Sequence, residues 1–252
     1  MRTISLLNFK RKYDANPMRM IAVIFAVIIL LGTLLLTLPI STRNGNGCDF
    51  LSALFTATSA TCVTGLVMFD TYTQWSGFGQ LVIITLIEIG GLGFISAFSM
   101  LMFFLKKKAG FKEKLVIAQS FSVSDMSEVL NIQRLVLIGS MTVQGIGAII
   151  LFLVFKIRYN YNFALSIKLG LFHAISAFCN AGFDILGFVT PGSSLLEFND
   201  SYALLITLGL LVIIGGLGFL VWQELIDLKK KKKLSLYGHD ACVLRIHLIQ
   251  WS

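Results

Sequence analysis

The chain has 252 residues, 56% of them hydrophobic, with a mean hydropathy of +0.82 and a formal charge of +8. That composition excludes an ordinary soluble domain and points to an integral membrane protein. The basic residues sit beside apolar stretches and are not interleaved with aromatics on a polar face, which argues against a nucleic-acid partner.

Residues 1–19 carry Arg2, Lys10, Arg11, Lys12 and Arg19 and read as a cytoplasmic N-terminus. Residues 20–38 are nearly pure Ile, Val, Leu and Ala. At ~1.5 Å per residue they make a helix of about 28 Å, enough for a hydrocarbon core. The stretch has no small-x-small cleavage site, so it reads as an anchor and not a signal peptide. Pro39 closes it, and a turn rich in Asn and Gly follows over 41–47. Asp49 then offers an N-cap to a helix over 50–60, which reaches only about halfway across a membrane. Beyond it come a short segment over 61–66, an outward loop holding Asp70, and a second span over 77–105 that stops at Lys106, Lys107 and Lys108.

Residues 111–131 mix Lys112, Glu113, Lys114, Asp125 and Glu128 with apolar residues, as an interfacial or cytoplasmic helix does. The pattern then restarts. Residues 132–155 span, 166–178 form a second half-length helix, 179–183 a second short segment, and 201–225 a fourth span before Lys229 to Lys233.

Two phrases recur in register. Leu54-Phe55-Thr56-Ala57-Thr58-Ser59-Ala60-Thr61-Cys62-Val63-Thr64-Gly65 returns as Leu171-Phe172-His173-Ala174-Ile175-Ser176-Ala177-Phe178-Cys179-Asn180-Ala181-Gly182. Gly90-Gly91-Leu92-Gly93-Phe94 returns as Gly215-Gly216-Leu217-Gly218-Phe219. The unit is therefore span, half-helix, filter-like turn, span, present twice. The fold class is all-α integral membrane, with residues 20–105 and 132–228 as the two units, 106–131 as a cytoplasmic or interfacial linker and 229–252 as a basic cytoplasmic tail. Lys and Arg near the span ends put both termini on the cytoplasmic side of the cell membrane.

Replacing a cation's hydration shell calls for backbone carbonyls pointing inward in succession. Gly65 and Gly182 supply the backbone freedom for this, and Cys62, Val63, Thr64, Cys179, Asn180 and Ala181 the neighbouring carbonyls. Non-helical backbone at membrane depth is tolerated only where it is buried in protein or lines a wet cavity. Glu88 is ionisable within a span and is expected to hold the filter through a hydrogen bond to the neighbouring half-helix, with ion contact as the alternative. Asp70 and Asp184 follow the two filters, either to concentrate cations at the mouth or as solvated loop carboxylates. The glycine clusters read as close helix packing against the half-helix in preference to hinges, and His173 as a packed polar residue. Cys48, Cys62, Cys179 and Cys242 have no CxxC spacing, and no triad, metal cluster or phosphate loop is visible, so an enzyme is not expected.

The phrases 60–66 and 178–183, with the Gly-Gly-Leu-Gly-Phe of each following span, resemble the Trk/Ktr/HKT superfamily of potassium transporters, its Ktr membrane-subunit branch in particular. The resemblance covers roughly residues 15 to 235. It implies K⁺ as the transported ion at the filter residues, sometimes with Na⁺ as coupling ion. It also implies a homodimer in the lipid membrane on a cytoplasmic ring of nucleotide-binding regulatory subunits. The superfamily closes one pore with four units and this chain holds two. A truncated product of a longer gene is one expectation, and pairing of two halves into one pore is another. A non-conducting membrane interaction protein is the alternative from a different class.

Overall fold

A computed structural model describes residues 17–93 and 126–217, with 221 and 222. The N-terminal stretch up to residue 16, the linker up to residue 125, the basic tail and the far ends of the second and fourth spans lie outside the described residues. The described ones are helical, with an isolated antiparallel bridge between Thr42 and Trp75. In chain order the helices are α1 Pro17–Thr37, α2 Phe50–Thr61, the single turn α3 Thr71–Gln74, α4 Gly77–Gly91, α5 Met126–Leu153, α6 Phe163–Phe178 and α7 Tyr202–Gly216.

Local chemistry places most of these boundaries. α1 ends before Pro39, with Leu38 extended at φ −64° and ψ 143°. α2 is capped by Asp49, whose carboxylate accepts from the Ser52 amide at 3.0 Å and is thereby held below the usual carboxylate range. Ser76 caps α4 through the Gly79 amide, so that helix starts where the sequence predicts it. α6 starts earlier than expected, because Asn162 accepts from the Leu165 amide at 2.7 Å and caps a helix beginning at Phe163. α5 likewise reaches back to Met126, into the stretch read as linker. It ends in a π turn, Val154–Arg158, beside an aromatic group of Phe155, Tyr159, Tyr161 and Phe198. There the Arg158 guanidinium bonds the Asp200 carboxylate at 2.7 Å.

The two units are built on the same contacts. α1 packs on α2 and α2 on α4; α5 packs on α6 and α6 on α7. The outer helix meets the inner one through a glycine in each: a Cβ on Gly32 would stand 2.7 Å from a Leu86 methyl, and one on Gly147 would stand 2.8 Å from a Leu211 methyl. The units join where α4 packs on α6.

The surface is inverted relative to a soluble protein. Val23, Val27, Leu30, Leu31 and Leu34 along α1 are exposed, whereas Thr33, Ser140, Gln144 and Thr207 are buried. The buried hydroxyls donate back into their own helices, Thr33 to the Ile29 carbonyl, Ser140 to that of Val136 and Thr207 to that of Ala203, which satisfies them without water. Among the described residues one stretch, Val136–Arg158, is long and apolar enough to cross a membrane by itself.

Candidate functional site: two matched turns

α2 and α6 end in the same way. The Thr64 amide bonds the Ser59 carbonyl at 3.0 Å and the Val63 amide that of Ala60 at 3.3 Å. In register, the Ala181 amide bonds the Ser176 carbonyl at 2.8 Å and the Asn180 amide that of Ala177 at 3.0 Å. This pair of bonds is a Schellman closure, which reverses the chain through one left-handed residue. That residue is Val63 (φ 56°) in the first unit and Asn180 (φ 58°) in the second. Asparagine takes this conformation readily, but a β-branched valine does so against its preference, so Val63 is held there by its surroundings. Two residues on, Gly65 (φ 72°) and Gly182 (φ 71°) turn left-handed again.

The closures consume amides and leave carbonyls. No donor among the described residues reaches the carbonyl oxygens of Cys62, Val63, Thr64 and Gly65, or those of Cys179, Asn180, Ala181 and Gly182. The two turns also touch: a Cβ on Gly65 would stand 2.8 Å from the Ala181 oxygen and 3.3 Å from the Gly182 Cα. Only glycine combines this closeness with that φ.

The inner helices press on the ends of the short ones. A Cβ on Gly90 would overlap the Thr61 carbonyl, and one on Gly215 would overlap the Phe178 carbonyl, its counterpart in register. These glycines thus serve close packing against the short helix. Gly91 lies against Cys179, where a Cβ would come 2.5 Å from the sulfur.

Glu88 sits one helical turn away in the same junction. Its Oε2 accepts from Gln144 Nε2 at 3.0 Å and from the Cys179 thiol at 3.6 Å, while Oε1 is buried with no partner. Three elements therefore meet behind the second turn: α4, α5 and the end of α6. Gln144 is a site residue that sequence reading missed; a lone glutamine inside an apolar span was its signal.

The two loop aspartates are engaged. Asp70 accepts from the Thr73 amide at 2.8 Å and, across the units, from the Gly192 amide at 3.0 Å. Gly187 gives it room, since a Cβ there would overlap its carboxylate. Asp184 accepts from the Leu186 amide at 3.0 Å and from the Ser194 hydroxyl at 2.8 Å. His173 is buried, with Nδ1 2.7 Å from the Leu169 carbonyl and Nε2 3.4 Å from the Ile185 amide. One nitrogen must donate and the other accept, so its tautomer is set by packing.

Residues 5–244 match a family model described as TrkH, cation transport protein. The chain belongs to this TrkH family. It is accordingly a helical membrane protein of a transporter family, not an enzyme. It is 40% identical over 226 residues to the potassium/sodium uptake protein NtpJ of Enterococcus hirae, covering 90% of this chain and 49% of that one. It is 35% identical over 222 residues to the Ktr system potassium uptake protein B of Bacillus subtilis, covering 88% and 48%. The protein of the same name from Vibrio alginolyticus is 29% identical over 210 residues, covering 83% and 44%. The TrkH-family chain thus spans about half the length of these relatives.

Proposed function

We propose that this chain supplies two quarters of a cation-conducting pore, with the turns 62–65 and 179–182 as its filter segments and K⁺ as the ion passed. The observation that carries the reading is the paired left-handed turn. Eight carbonyls without donors lie on two segments of matching backbone, drawn together at Gly65 and Gly182. A carbonyl without a donor needs another partner, and a dehydrating cation is one. The partially negative C-terminal ends of α2 and α6 lead directly into these turns, which favours a positive ion there.

In this reading α2 and α6 are re-entrant half-helices, residues 20–105 and 132–228 are the two pore units, and 1–19, 106–131 and 229–252 face the cytoplasm. Glu88 with Gln144 positions the second filter segment and does not touch the ion. Asp70 and Asp184 hold the outer loops. Relatives named as potassium/sodium and potassium uptake proteins support K⁺, with Na⁺ as a coupling ion. Relatives named as parts of a Ktr system support work with other subunits; in this reading these are a second membrane subunit of the same kind and a cytoplasmic nucleotide-binding ring.

The test is potassium-limited growth of a strain lacking its own uptake systems. Expression of this chain rescues growth if two units suffice or pair with two more. No rescue, with the protein present in the membrane, rejects transport by this chain.

A further inference from the structure

The turn over 41–47 holds the dipeptide Asn-Gly twice, as Asn44-Gly45 and Asn46-Gly47. Neither takes part in the proposed pore. An asparagine carboxamide is open to attack by the backbone nitrogen of the next residue when that nitrogen is uncrowded, and glycine, with no Cβ, crowds it least. In sequence the two sites are equivalent. The fold makes them different.

At Asn44 three conditions for attack meet. Asn44, Gly45 and Asn46 are all exposed, so water reaches both the carboxamide and the nitrogen. The Gly45 amide makes only a long contact, 3.4 Å to the Thr42 carbonyl, and a Cβ on Gly45 would meet nothing within 4 Å. The Asn46 amide donates to Asn44 Oδ1 at 3.1 Å. That bond polarises Cγ and stands where negative charge gathers when a nucleophile adds, as an oxyanion donor does.

At Asn46 the same chemistry is restrained. The nitrogen that would attack, the Gly47 amide, donates to the Thr42 hydroxyl at 3.1 Å. Gly47 is half-buried at φ 78°, and a Cβ there would stand 2.7 Å from the Thr37 carbonyl oxygen, so its backbone lies against the end of α1. No donor among the described residues reaches Asn46 Oδ1.

We propose that Asn44 is a site of spontaneous deamidation through a succinimide, in preference to Asn46. The Gly45 nitrogen gives its proton to hydroxide and bonds to Asn44 Cγ. The bond from Cγ to Nδ2 then breaks, and Nδ2 leaves as ammonia with a proton taken from water. Water opens the ring at either carbonyl, giving aspartate or, with the chain continued through Cγ, isoaspartate. In sum an amide and a water become a carboxylate and an ammonium, with no change of oxidation state. The product sets a carboxylate beside Arg43, whose guanidinium lies 3.9 Å from the centre of the Tyr72 ring and whose Nε donates to the Tyr72 carbonyl. The isoaspartyl form also lengthens the backbone by a carbon next to the point where the Arg43 amide bonds the Gln74 carbonyl at 3.0 Å and Thr42 pairs with Trp75. The reaction thus alters the joint between this turn and α3, whatever ion the protein passes.

The experiment ages the full chain in membranes at mildly alkaline pH, beside a sample unfolded in guanidinium, and follows both by peptide mass spectrometry with electron-transfer fragmentation. In the folded chain the amide-to-acid mass change is expected several-fold faster at Asn44 than at Asn46, with isoaspartate among the products. In the unfolded chain the two rates converge. Equal or faster conversion of Asn46 in the folded chain overturns the proposal, as does conversion of Asn44 no faster than that of Asn160 and Asn162, which precede Tyr161 and Phe163. A preference that persists unchanged after unfolding also overturns it, since the fold then has no part in it. Thr42→Val, which frees the Gly47 amide, is expected to raise the Asn46 rate towards that of Asn44; an unchanged Asn46 rate in a folded variant rejects the restraint on which the preference rests.

Discussion

Gly65 and Gly182 lie against one another across the two units, and the closeness is unequal. A Cβ on Gly65 would stand 2.8 Å from the Ala181 carbonyl oxygen, whereas one on Gly182 would meet only the Gly65 Cα, at 3.3 Å. Both residues are left-handed, which costs any other L-residue roughly 1–2 kcal/mol. Gly65→Ala therefore carries a clash with fixed backbone in addition to that cost. Thermal unfolding in detergent should show Gly65→Ala as the more destabilised of the two, and an equal or reversed order contradicts the contact.

The glycines of the inner helices give a controlled comparison. Gly90→Ala and Gly215→Ala each drive a methyl into a short-helix carbonyl, an overpacking worth roughly 1–3 kcal/mol. Gly145 and Gly209 lie in helices with nothing within 4 Å of an added Cβ, so alanine there is neutral or stabilising by roughly 0.5–1 kcal/mol. Melting temperatures of the four variants should split two against two.

Gln144→Leu removes the amide from Glu88 and leaves a buried carboxyl with the weak Cys179 thiol as its remaining donor. Stranding a buried acceptor costs roughly 1–3 kcal/mol, more if it is charged. Gln144→Leu should lower the melting temperature, and Glu88→Leu combined with it should recover part of the loss, because the stranded group is gone. Additive losses in the double variant would show that the two residues are not coupled.

Asp70 ties two loops together through its carboxylate. Asp70→Asn keeps one acceptor oxygen, which can hold the Thr73 amide, but turns an NH2 towards the Gly192 amide, while Asp70→Ala loses both bonds, about 1 kcal/mol for the cap alone. Limited proteolysis between residues 187 and 193 should accelerate in both variants, and the melting temperature should fall further in Asp70→Ala than in Asp70→Asn. Proteolysis at the wild-type rate in Asp70→Ala would contradict the anchoring bond.

The helices were legible because each has a simple cause: apolar runs of spanning length, an Asp49 cap, a stop at Pro39. The two left-handed turns were legible as a repeated phrase, and their glycines from backbone freedom. The left-handed Val63 was not, since valine resists that conformation and only its tertiary setting holds it there. Asn162 was missed as a cap because the apolar pattern begins later than the helix does. The Gln144 to Glu88 bond and the Asp70 to Gly192 bond join residues far apart in the chain. No local pattern encodes such pairs, so a span glutamine and a loop aspartate gave no sign of what they hold.

The central claim is that the turns at Gly65 and Gly182 select the ion. Tracer uptake of K⁺ and Na⁺ in a strain whose uptake runs through this chain tests it directly, comparing wild type with Gly65→Ser and Gly182→Ser at equal membrane abundance. The account predicts that each substitution lowers the K⁺ to Na⁺ uptake ratio or abolishes uptake. An unchanged ratio and rate in both variants would contradict it.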